Sequence, residues 1–152
     1  MEPRTASVKN RLETIKQLAD NNIPVMAMMA PIIPSLNSHE ILPLAKKVAE
    51  MGASNLGYTM VRLNGAVEEI FTQWIEEHYP DRAKRVLNQI KGAHGGTTSD
   101  SRFGTRMRGE GNAAEMIKSQ IVLARKKYGL DRKMNNLDTS LFIPGGGQLS
   151  LF

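Results

Sequence analysis

The chain has 152 residues, of which 41% are hydrophobic and 23% are charged, as is usual for one globular domain with a modest core. It contains no cysteine, which excludes disulfides, thiolate zinc sites, cysteine nucleophiles and ligation of an iron–sulfur cluster within the chain. The net charge of +5 is concentrated in the second half, so an anionic partner is expected to meet that half, although a solvated basic face explains the charge equally simply.

The first part of the chain has the pattern of a parallel α/β fold. Helices and strands alternate with short connections, as βα units do on a parallel sheet. The expected elements are a helix over residues 7–20, an apolar strand over 25–30, a helix from 38 to 51 and a strand over 55–63. The first strand is predicted to be buried on both faces and to be terminated by Pro31.

After Gly65 the pattern becomes helical. Apolar stripes predict helices over residues 67–75 and 83–90, and a last helix is expected from Ala113 to Tyr128, closed by Gly129. Between them, residues 92–111 are rich in glycine and arginine without any period, and a loop of that length is either functional or disordered. We therefore divide the chain into residues 1–64, a helical extension over 65–129, and an extended tail over 130–152.

Two βα units leave a parallel sheet incomplete, because a strand buried on both faces needs a neighbour on each side. We expect that the chain begins within a domain and that its upstream strands are missing. A second copy could cover the open sheet edge and form a homodimer.

Several segments resemble a known family. Residues 2–7 (EPRTAS), Arg11-Leu12, residues 23–25 (IPV) and residues 30–37 (APIIPSLN) are similar to the second half of the radical S-adenosylmethionine barrel. The likeness is greatest to the DNA-repair-photolyase branch related to spore photoproduct lyase, and residues 100–111 (DSRFGTRMRGEG) resemble a signature of one bacterial group there. The resemblance implies the C-terminal part of a partial (β/α) barrel with parallel strands, followed by a mostly helical extension.

Members of this family hold a [4Fe–4S] cluster on a CxxxCxxC loop and use it to cleave S-adenosylmethionine to a radical. That loop would precede Met1, and the present chain has no cysteine to replace it. The resemblance thus implies an intact enzyme that acts on nucleic acid with both cofactors. For this chain alone we predict no catalytic residue, no metal ligand and no resident cofactor.

The resemblance also suggests residues that line the S-adenosylmethionine pocket, because strand ends in such barrels face the ligand. Arg11 would face the methionine carboxylate through its planar guanidinium. The simpler interpretation is a surface arginine paired with Glu2 or Asp20. The strand ends would contact the nucleoside, and the full set is Arg11, Ala30, Pro31, Ile32, Tyr58 and Arg62.

The glycine- and arginine-rich loop has the chemistry of a nucleic-acid contact. Arg102, Arg106 and Arg108 supply forks for phosphate, and Phe103 can stack on an exposed base of DNA or RNA. Alternatively, the loop folds over the barrel mouth and its arginines pair with acidic residues of the missing half, or locally with Glu110.

The chain ends in a pentapeptide similar to the motif by which bacterial repair proteins dock on the sliding clamp. A glutamine amide would bond at the rim of the cleft and the apolar side chains would fill its pockets, each contributing roughly 1.5–3 kcal/mol before ordering costs. The residues are Gln148, Leu149, Ser150, Leu151 and Phe152, after a flexible triglycine. The alternative is a tail that packs on its own domain or adds a strand to an open edge.

Two functions follow as alternatives: a fragment of a radical enzyme acting on nucleic acid, or a non-catalytic module that docks on the clamp and contacts DNA. A truncated product without a separate role is the third. Because prolines interrupt the longest apolar stretch and no signal peptide is evident, we expect a cytoplasmic protein without membrane contact.

Overall fold

The computed structural model describes residues 4–132 and Ser140, which form five α-helices and a two-stranded parallel sheet. In chain order the elements are α1 Val8–Asp20, β1 Met26–Ile32, a 3₁₀ turn Ser38–Glu40, α2 Ile41–Glu50, β2 Asn55–Met60, α3 Ala66–His78, α4 Pro80–Ala93 and α5 Gly111–Tyr128. The mixed α/β class with parallel strands is confirmed. The predicted clamp-docking peptide, Gln148–Phe152, lies outside the described residues.

Local chemistry explains where the helices begin and end. The Ser7 hydroxyl accepts a hydrogen bond from the amide of Asn10 (3.2 Å) and so caps α1. Pro80 occupies the first turn of α4, where its missing N–H costs nothing. Gly129 ends α5 in the left-handed conformation with φ 65°.

Strand β1 differs from its prediction in two respects. Its residues alternate between exposed and buried, so only one face lies in the core: Met26 and Met28 are exposed, whereas Ala27 and Met29 are buried. The reason is that α2, α5 and the half-buried side chains of α1 all pack on the face that holds Ala27 and Met29, which leaves Met26 and Met28 43% and 56% exposed. The strand also continues through Pro31, which lies in a register irregularity where a missing N–H is tolerated.

Two apolar clusters form the core. The first joins the sheet to α2 and α5, and the second joins the segment after β2 to α3 and α4. Met60 belongs to the first cluster, while Val61 and Leu63 belong to the second. Fully burying an apolar side chain contributes roughly 1.5–3 kcal/mol. Burial of Met60 in one cluster and of Val61 and Leu63 in the other therefore fixes the backbone of residues 60–63.

The outer edge of β2 is covered by the same chain. The amide of Leu56 donates to the carbonyl of Leu130 (3.2 Å), and Asn55 forms an antiparallel bridge with Asp131. The outer edge of β1 has no strand partner among the described residues. A dimer through a sheet edge would therefore have to use β1. No helix in residues 4–132 has the length and apolarity needed to cross a lipid bilayer.

Candidate ligand cavity and its arginine loop

A cavity of about 630 Å³ opens where both strands end at their carboxyl side. In open α/β sheets this is the edge at which ligands bind. Most of its wall is apolar, with two guanidinium groups and one amide among the lining residues. Those residues are Arg11, Ala30, Pro31, Ile33, Asn37, Thr59, Met60, Val61, Arg62, Leu63, Val67, Phe71 and Met107.

Four of the six residues proposed from the sequence for cofactor contact line this one cavity: Arg11, Ala30, Pro31 and Arg62. The other two, Ile32 and Tyr58, do not. Ile32 is 2% exposed and belongs to the first core cluster, against which the Tyr58 ring also packs. Both residues therefore contribute to the core rather than to the cavity wall.

Sequence reasoning missed the part of the wall that comes from elsewhere in the chain. Val67 and Phe71 come from α3, and Met107 comes from the loop that precedes α5. The helical stripe containing Phe71 gave only a signal for core packing. Nothing local in the sequence marks these residues as neighbours of the strand ends.

The two cavity arginines differ in their surroundings. Arg11 is exposed, and its Nε donates to the carbonyl of Ala6 (3.1 Å). Of its two alternative partners, Asp20 is engaged by Lys16 and Glu2 lies outside the described residues. Arg62 is half-buried, its Nη1 donates to the main-chain carbonyl of Asp100 (3.2 Å), and no carboxylate of the described residues lies within ion-pair distance of it.

The segment between α4 and α5, residues 94–110, is bound along the end of β2; we call it the arginine loop. The amide of Met60 donates to the carbonyl of Met107 (2.8 Å), and the amide of Leu63 donates to that of Thr98 (2.9 Å). The Nε2 atom of His94 lies 2.7 Å from the carbonyl of Val61 and must carry the proton, because a carbonyl oxygen only accepts. The loop thus reaches the cavity, which its Met107 side chain lines.

A buried carboxylate organises this loop from within. Asp100 Oδ1 accepts hydrogen bonds from the amide (2.9 Å) and Nε (3.0 Å) of Arg102, and its Oδ2 accepts from Nη2 (2.8 Å). These hydrogen bonds hold the pKa of the Asp100 carboxyl well below its usual range, and bonding to Asp100 and then Glu110 raises the pKa of Arg102. His94 Nδ1 lies 3.6 Å from Oδ2, which completes a buried polar cluster.

The four loop residues proposed for nucleic-acid contact have different surroundings in the structure. The Arg102 guanidinium is engaged by Glu110, the local partner given above as an alternative, and also by Asp100, which was not expected from the sequence. Phe103 is 94% exposed, and Arg106 and Arg108 form no ion pair with any described residue. Contact with an anionic polymer would therefore depend on Phe103, Arg106 and Arg108. Arg102, in contrast, has a structural role within the loop, through its ion pairs with Asp100 and Glu110.

Among the described residues, no three histidine or acidic side chains are grouped so that they could hold a metal ion. Comparison of the chain with family models, with curated proteins and with solved structures gives no match.

Proposed function

We propose that this chain is the S-adenosylmethionine-binding part of a radical S-adenosylmethionine protein, with the strands forming the second half of a partial (β/α) barrel. The observation that carries the proposal is the convergence of Arg11, Ala30, Pro31 and Arg62 on one cavity at the carboxyl ends of parallel strands.

The cavity has the size and chemistry that such a ligand needs. Its volume of about 630 Å³ lies within the range of small-molecule sites, which is roughly 300–1,000 Å³. Leu63, Phe71 and Met107 offer apolar surface for an adenine ring and a thioether chain. The Arg62 guanidinium offers donors for a carboxylate.

The cluster of the intact enzyme does not fit this chain. Iron–sulfur clusters are held by thiolates, and the sequence contains none. The proposed role of the chain is therefore to bind and orient the nucleoside, and we propose that the chain alone is not catalytic.

Titration of S-adenosylmethionine into the 152-residue chain by calorimetry tests the proposal. Val67 and Ile70 are both exposed apolar residues of α3, but only Val67 lines the cavity. We expect Val67→Trp to weaken binding at least about tenfold, which corresponds to 1.4 kcal/mol, because the indole fills the cavity. Ile70→Trp should bind as the wild type does. Absence of binding by the wild type, or equal affinities of the two variants, would contradict the proposal.

A second candidate function is favoured by the exposed ring of Phe103. An aromatic side chain 94% exposed, near in sequence to two arginines that form no ion pair within residues 4–132, is the arrangement that stacks on bases and neutralises phosphate. We propose that the loop contacts DNA or RNA and that the terminal pentapeptide docks the chain on the bacterial sliding clamp. Clamp binding by the full chain that survives deletion of Gln148–Phe152 would exclude the docking role.

A further inference from the structure

Arg62 stands out in the cavity because most of its hydrogen-bonding capacity is unused. A guanidinium carries five N–H donors, and the described contacts of Arg62 engage one of them, the bond from Nη1 to the carbonyl of Asp100. The side chain is half-buried and lines the cavity. A cation in this position, with no carboxylate of residues 4–132 within ion-pair distance, is suited to bind an anionic group of a ligand.

The residue that holds Arg62 is also the residue that organises the arginine loop. The carboxylate of Asp100 accepts three hydrogen bonds from Arg102, and its main-chain carbonyl accepts the bond from Arg62. The conformation of the arginine loop and the orientation of the Arg62 guanidinium therefore both depend on Asp100. Since the 98–107 segment is also bonded to the backbone of Met60 and Leu63, a shift of the loop would move the cavity wall together with Arg62.

We propose that the arginine loop is a positioning arm of the cavity, in which Asp100 fixes the Arg62 guanidinium so that it binds one carboxylate or phosphate group of the ligand. Arg62 is then the specificity-determining residue and Asp100 a positioning residue. The apolar remainder of the wall requires a ligand with an apolar or aromatic body beside that anionic end. The identity of the anion as the methionine carboxylate rests on the proposed function, whereas the positioning of Arg62 does not.

The positioning claim is tested without any ligand, by nitrogen-15 NMR of the arginine guanidinium groups in the 152-residue chain. The Arg62 signals are assigned by their loss in Arg62→Lys. Because the described bond of Arg62 is made by Nη1, we expect its two Nη groups to give separate signals in the wild type and one rotation-averaged signal in Asp100→Asn. Arg102→Gln, which removes the other partner of the Asp100–Arg102 ion pair, should have the same effect, and Arg82→Lys on the exposed face of α4 should have none. A rotation-averaged Arg62 Nη signal in the wild type, or separate Nη signals in both Asp100→Asn and Arg102→Gln, would overturn the claim.

Anion recognition is tested by calorimetry with two probes that differ in charge. S-Adenosylmethionine has a carboxylate, whereas 5′-methylthioadenosine lacks it. We expect Arg62→Gln to weaken the first at least about tenfold and to leave the second unchanged. Added Asp100→Asn should change the affinity of the Arg62→Gln variant little, because the group it positions is gone. Equal weakening of both probes by Arg62→Gln would show that Arg62 does not recognise the carboxylate. Additive effects of the two substitutions would show that Asp100 only supports the fold.

Titration with inorganic phosphate distinguishes a ligand that carries a phosphate group from one that carries a carboxylate. If the site serves a phosphate, phosphate shifts the Arg62 Nε–H signal in the wild type but S-adenosylmethionine does not bind; this outcome supports the positioning arm and refutes the proposed function. If neither S-adenosylmethionine nor phosphate perturbs the Arg62 signal, anion binding by Arg62 is refuted.

Discussion

Replacing Gly109 with alanine tests how tightly the arginine loop is seated between the last two helices. Gly109 has φ 71°, and a Cβ built there would lie 3.2 Å from both the Cβ and the carbonyl oxygen of Ala93 and 3.3 Å from the Cβ of Ala114. Both alanines are buried. The new methyl group therefore has no room unless the loop moves away from α4 and α5.

Gly129 provides a matched control. Its φ is 65°, and a Cβ there would meet no atom within 4 Å. Gly129→Ala should cost only the left-handed conformation, about 1–2 kcal/mol of unfolding free energy. Gly109→Ala should cost that amount and, in addition, about 1–3 kcal/mol for overpacking.

Urea unfolding of the wild type and both variants, followed by circular dichroism, measures the difference at constant m-value. Gly109→Ala is expected to be the less stable variant by about 1–3 kcal/mol. Equal free energies of unfolding for the two variants would refute the tight seating of the loop, and with it the idea that the loop is a fixed wall of the cavity.

Three further predictions concern the same surfaces. Because the pKa of Asp100 is lowered in the folded chain, its carboxylate stabilises the fold above the unfolded-state pKa near 4, and this stabilisation is lost as pH falls toward the folded-state pKa. The Tm difference between the wild type and Asp100→Asn should therefore be constant from pH 5 to 8 and shrink below about pH 4. A constant Tm difference down to pH 3 would contradict this assignment. Phe103→Ala should leave Tm unchanged while weakening the binding of a fluorescent single-stranded oligonucleotide. As a control, Phe71→Ala removes a ring that is only 6% exposed and should lower the free energy of unfolding by about 3–5 kcal/mol. A lower Tm of Phe103→Ala would count against an exposed stacking ring. Deletion of Gln148–Phe152 should abolish clamp binding in a pull-down with purified clamp, and retention of binding would assign it to another part of the chain.

The helices were predictable because each carries its own local signals. Ser7, Pro80 and Gly129 mark helix ends through chemistry confined to a few neighbouring residues. The parallel arrangement of β1 and β2 followed from the alternation of helices and strands. The exposure of Met28 did not, because it depends on which face of the sheet the helices cover, and packing between elements leaves no periodic trace in the sequence.

The cavity was predictable only where the strand ends supplied it. Ala30, Pro31 and Arg62 lie at positions that any parallel sheet presents to a ligand. Met107 and Asp100 reach the same place through a loop without regular structure, whose path is set by hydrogen bonds to residues 60–63, distant in sequence. The functional meaning of Asp100 therefore appears only once its carbonyl is seen beside Arg62.

The most direct test of the ligand-binding role is the location of S-adenosylmethionine on the chain, measured by amide chemical-shift changes in nitrogen-15 NMR spectra during titration. The proposed function predicts saturable shifts centred on Ala30, Arg62 and Met107, the strand ends and loop wall that meet at the cavity. Shifts confined to the exposed arginines of α4, or no saturable shift at millimolar ligand, would contradict it.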